Sequence, residues 1–159
     1  MKQKELSIWL KLIIIFCGCF GLLFCMYIGP KTGRVLLLDS ENLEALYNPF
    51  VVFVWITGIP FFIALFLGWQ ICSDIRLDQA FTIRNAGRLK KISMLSMIEC
   101  VLYVGALLYL FVIGSYQANL VMIMLLILFF AVVISIFTSL LSHLVRKASE
   151  IKEDSDLTI

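Results

Sequence analysis

The chain has 159 residues, of which 62% are hydrophobic and 15% charged, and a net charge of +2. A water-soluble domain carries about 25% charged residues, and folded in water this sequence would expose far more apolar surface than solubility permits. The composition therefore excludes an ordinary soluble domain, and no direct nucleic-acid binding is expected of a chain with so little excess charge.

Four stretches of 17 to 23 residues, 12–28, 50–72, 92–113 and 120–141, carry only one charged side chain between them, Glu99. A hydrocarbon core about 30 Å thick needs about 20 apolar residues of helix to cross it. The expected fold is an all-α, polytopic membrane protein: a single domain over 1–159 built as a four-helix transmembrane bundle, with both termini cytoplasmic.

The first span is expected at about 10–29. Lys2, Lys4 and Lys11 precede its apolar run, 12–28, as they would that of a signal peptide. However, its apolar run exceeds the about 7 to 15 residues of a signal core, and no Ala-x-Ala-like site follows, so it reads as a retained span. Cys17, Gly21 and Cys25 form a small-residue stripe along it that lets another helix approach closely. The five cysteines all lie in or beside the spans and read as free, packing thiols.

An outer loop is expected over 30–49. There Asp39 or Ser40 caps a short surface helix, or else the segment is a partly ordered connector. The second span, 50–72, holds Pro60 near its middle, where the missing backbone donor predicts a kink. A basic loop, 73–91, leads to the third span at 92–113, with Thr82 as N-cap of the entering helix. In that loop Arg84, Arg88, Lys90 and Lys91 are expected to face lipid headgroups or a partner protein. A turn too short for anything but an antiparallel hairpin joins the third span to the fourth, 120–142. The tail, 143–159, prolongs the fourth helix through residues 149–153 and ends in Asp154, Asp156, Leu157, Thr158 and Ile159, candidate contacts for a partner or lipid whose acids are either solvated or paired with a basic partner.

Lysine and arginine sort sharply among the connections. Eleven lie in the N-terminal tail, the middle loop and the C-terminal tail, against Lys31 and Arg34 in the outer loop. The positive-inside rule then assigns both ends and the middle loop to the cytoplasm of a multi-pass cell-membrane protein.

An intramembrane acid is costly and marks a candidate site by default. Glu99 shares a helical stripe with Ser96 and Tyr103, at spacings of three and four. An antiparallel hairpin would bring Ser135, Thr138 and Ser139 of the fourth span to a similar depth. Lys11 is expected to snorkel toward that level and pair with Glu99. Glu99 is then either a binding group for a proton or cation, or a hydrogen-bonded interior acid that fixes helix register. His143 is placed to complement the C-terminal dipole of the fourth helix.

The residues Ile59-Pro60-Phe61-Phe62-Ile63-Ala64-Leu65-Phe66, Gln79-Ala80-Phe81-Thr82, Asn85 with Leu89-Lys90-Lys91-Ile92, and the ending from Glu150 to Ile159 resemble a bacterial family, the domain of unknown function 2975. The resemblance covers nearly the whole chain. Family members usually read Glu-Asn-Asp where this chain has Asp154-Ser155-Asp156. The resemblance implies four spans and no catalytic residues, and, because members are often encoded beside a small helix-turn-helix regulator, a cytoplasmic regulator as partner.

An enzyme is not expected. The chain has no metal-ligand cluster, no phosphate-cradling glycine loop and no nucleophile with base and orienter. No cofactor is expected either. The leading expectation is a membrane-bound regulator or sequestering partner of a small helix-turn-helix protein, in contact with the lipid bilayer and open to homo-oligomer formation. The alternative is a small transporter or immunity-type protein acting on a membrane-active compound or ion.

Overall fold

The computed structural model describes residues 3–37, 46–114 and 118–157. They are helical except at the 77–82 connection and at single residues beside helix ends, with no strand among them. Helix α1 (Gln3–Leu23) passes through one wide π-helical turn, Phe24–Ile28, into α2 (Gly29–Leu37). Then come α3 (Tyr47–Arg76), α4 (Ile83–Ile113) and α5 (Ala118–Leu157). Four helical segments, Lys4–Val35, Tyr47–Arg76, Ile83–Ile113 and Ala118–Ser155, are long and apolar enough to cross a membrane. Their outward faces carry exposed Phe16, Val101, Val112 and Phe137, which lipid accommodates and water would not.

The π-helical turn was not legible as such in the sequence, and Pro30 gives its physical cause. A proline within a helix has no N–H and its ring presses on the carbonyl four residues back. Widening the preceding turn lets the Gly29 N–H bond to the Phe24 carbonyl, five residues back. The helix therefore runs through Pro30 to Leu37 instead of stopping near residue 29. The expected outer loop 30–49 is helical at both ends, and Asp39 and Ser40 lie outside the described residues. Helix α3 likewise continues through Pro60 as one helix.

The helices pack in chain order. Helix α1 lies on α3, α3 on α4, and α4 most extensively on α5, whereas no contact of comparable extent joins α5 back to α1. Between α1 and α3 the register is antiparallel and steady. Ser7 Oγ donates to the Cys72 carbonyl at 2.6 Å, Lys11 Nζ stands over the Trp69 ring at 4.9 Å, and Trp55 Nε1 donates to the Cys25 carbonyl at 3.2 Å. Between α4 and α5, Ser135 Oγ donates to the Ser93 carbonyl at 3.2 Å, and Ser142 Oγ donates to the Ala86 carbonyl at 2.7 Å. Tyr103, Leu110, Leu120 and Met124 form one buried cluster, and Ala86, Leu89 and Val145 another nearer the basic end.

The connection from α3 to α4 is held by a polar knot. Thr82 caps α4 by accepting from the Asn85 N–H at 3.3 Å. The Asn85 amide, only 1% exposed, donates to the Gln79 and Ala80 carbonyls at 3.0 and 3.3 Å. Its oxygen accepts from Arg88 at 2.7 Å, and Arg88 also pairs with Asp74 at 2.6 Å. Arg88 is therefore turned inward and does not face headgroups as expected. The reason is that Asp74, in the last turn of α3, offers it a partner largely shielded from solvent. Arg84, Lys90 and Lys91 are exposed.

Candidate intramembrane binding site

Midway along the helices lies a cavity of about 480 Å³, walled by residues of α1, the π-helical turn, α3, α4 and α5. Each wall has a local cause. On the first helix, Gly21 and Cys25 leave room, and a Cβ on Gly21 would overlap the Phe61 ring. The π-helical turn leaves the Cys25 carbonyl available, and the Trp55 indole takes it up. On α3, Thr57, Gly58 and Pro60 face the cavity. Thr57 Oγ1 donates to its own helix's Val54 carbonyl at 3.1 Å, and the Cys25 thiol approaches that same carbonyl at 3.9 Å. Helix α5 contributes Phe130, Ala131 and Ile134.

Helix α4 supplies the polar side. Ser96, Glu99 and Tyr103, the stripe predicted from spacing, all line the cavity. Tyr103 is buried, beside Thr57, with its ring edge-on to Phe53 at 5.1 Å between centroids. Glu99, Cys25 and Tyr103 line the same cavity. Among the described residues Glu99 has no ion-pair partner. No buried side-chain oxygen or nitrogen among them lacks a hydrogen-bond partner, and Glu99 is half-buried at the cavity wall.

Two expected neighbours of Glu99 are elsewhere. Lys11 does not pair with it but stands over the Trp69 ring, four residues beyond the cavity-lining Leu65 along α3 and so about 6 Å of helix rise past the cavity wall. The hydroxyls of α5 sit at a different level. Because Ser93 faces Ser135, stepping six residues on to Glu99 moves the facing position six residues back, to about Phe129. Ser135 is thus spent on Ser93, Thr138 donates to the Ile134 carbonyl of its own helix at 2.7 Å, and Ser139 is exposed. The hairpin's antiparallel sense was legible in the sequence. Its register was not, since it depends on how α4 and α5 interlock.

At the basic end, α5 continues as helix to Leu157, so His143 is not at a helix terminus. Asp154 is exposed on that helix; Asp156 and Leu157 belong to it, and Thr158 and Ile159 lie outside the described residues. A second cavity, about 430 Å³, lies nearer the other end among Phe50, Phe53, Leu102, Tyr109 and Met124, and no charged residue lines it.

A family profile described as "Protein of unknown function (DUF2975)" matches residues 38–159. The chain belongs to that family. The profile begins after α2, so the resemblance reaches less far than nearly the whole chain. Glu99 and the walls from α3, α4 and α5 lie within it, and the wall from α1 lies outside. Beyond the profile, the chain is 24% identical over 155 residues to the "Uncharacterized membrane protein YoaS" of Bacillus subtilis (strain 168), covering 96% of this chain and 97% of that protein. No solved structure matches the chain. The DUF2975 chain is thus a membrane protein with four long apolar helices and an acid-bearing cavity among them.

Proposed function

We propose that the protein is a membrane receptor. A lipid-soluble compound occupies the cavity at Glu99, and α5 reports its presence to a small regulator held on the basic side of the membrane. The observation that carries this reading is the continuity of α5. The helix that gives Phe130, Ala131 and Ile134 to the cavity wall runs unbroken to Leu157. From Ile134 to Leu157 that is about 35 Å of helix, and residues 150–155 are exposed at its far end. A small rotation or tilt of α5 at the cavity is carried to this end, because a helix transmits displacement as a rigid rod. The family's habit of neighbouring a small helix-turn-helix regulator supports that class of partner.

The test is crosslinking and pull-down from intact cells, followed by removal of residues 150–159. The expected result is a captured small cytoplasmic protein that moves to the soluble fraction on truncation. A partner that stays with the membrane despite the truncation counts against the reading.

The cavity also supports transport or immunity toward a membrane-active compound, since two helix irregularities, the π-helical turn and Pro60, border it. Deleting the gene then changes sensitivity to such a compound, and Glu99→Gln reproduces the deletion. An unchanged response across a broad compound panel speaks against this second reading.

A further inference from the structure

From the cavity's charge, walls and access, we infer that its ligand is a lipophilic organic monocation that reaches Glu99 sideways from the bilayer, between α1 and α5. The inference rests on the receptor reading and names the ligand class of that site.

The charge argument comes first. Among the described residues Glu99 is the only charged one lining the cavity, and it has no ion-pair partner among them. An acid in low-dielectric surroundings is stabilised by an opposite charge that comes to share its site. A single cationic centre meets that need. An anion is repelled, and a dication keeps one charge uncompensated.

The walls give the second requirement. Phe20, Phe24, Phe61, Tyr103 and Phe130 all line the cavity. Aromatic faces attract cations, most strongly where water is excluded, and they match an apolar body around the charge. A volume of about 480 Å³ lies within the range of small-molecule sites. The second cavity, similar in size and without an acid, is an internal contrast: it suits neutral apolar compounds.

Access is the third point. Helices α1 and α5 both wall the cavity without packing extensively on each other. Phe20 and Phe130, on either side, are 55% and 54% exposed. The opening therefore faces lipid, where a lipophilic cation partitions.

The test uses the full-length protein in phosphatidylcholine nanodiscs, with tetraphenylphosphonium as probe in equilibrium dialysis. Tetraphenylsilane and tetraphenylborate, of the same shape but neutral and anionic, serve as competitors. We expect saturable binding of the cation, no competition by the borate and at least tenfold weaker competition by the silane. Glu99→Gln should weaken binding at least tenfold and Glu99→Asp by less. Ala131→Leu, which fills the cavity from α5 and leaves the acid in place, should also abolish binding. This keeps the test decisive if Glu99→Gln fails to fold. Equal competition by the silane, unchanged affinity in Glu99→Gln, or no saturable binding overturns the inference. The two readings fail separately. Cation binding with a partner indifferent to truncation refutes the receptor and leaves the ligand class standing, while a partner released by truncation from a protein that binds no cation does the reverse.

Discussion

Replacing Asn85 with leucine, a side chain of similar size without polar atoms, tests whether the polar knot at the start of α4 sets the junction between α3 and α4. Asn85 gives two hydrogen bonds to the Gln79 and Ala80 carbonyls and receives one from Arg88. Each such bond contributes about 1 kcal/mol net, and buried groups left without partners add to the loss. The substitution should therefore cost about 3 kcal/mol. At about 2 to 4 °C per kcal/mol for a chain of this length, the thermal midpoint in detergent, followed by size-exclusion of the folded fraction, should fall by about 6 to 12 °C. Because Arg88 bridges Asn85 and Asp74, Arg88→Met should also destabilise. The double variant should lose about 1 kcal/mol less than the two single losses added together. A midpoint for Asn85→Leu within about 2 °C of the parent, or full additivity with Arg88→Met, would refute the idea that these groups act as one unit.

Three further outcomes are expected. Gly114 ends α4 in the left-handed region, at φ 70, so Gly114→Ala should cost about 1 kcal/mol and lower the midpoint by about 2 to 4 °C. Ser135→Ala removes the bond to the Ser93 carbonyl across the α4–α5 seam. Interhelical bonds of this kind in membranes average about 0.6 kcal/mol and stay under about 2, so the loss read from unfolding in mixed micelles should lie in that range. Reporter fusions after residue 159 and within 77–82 should both read cytoplasmic, and one within 38–45 should read the opposite face; two ends on opposite faces would contradict the basic-residue asymmetry.

The sequence alone determined the class of protein and the number of long helices, because an apolar run of about 20 residues has one economical solution in lipid: every backbone group bonded within its own helix. It also determined the Thr82 cap and the Ser96–Glu99–Tyr103 face, since both follow from spacing along a single helix. Tertiary structure decided everything that depends on how one helix meets another. It put Lys11 on Trp69 instead of Glu99, matched Ser135 to Ser93, and turned Arg88 inward to Asp74. It gathered the cavity walls from α1, the π-helical turn, α3, α4 and α5. Spacing along one helix fixes which side chains share a face. The partner of that face is set by register and packing order, quantities that arise only when the interlocking side chains of two helices are placed together.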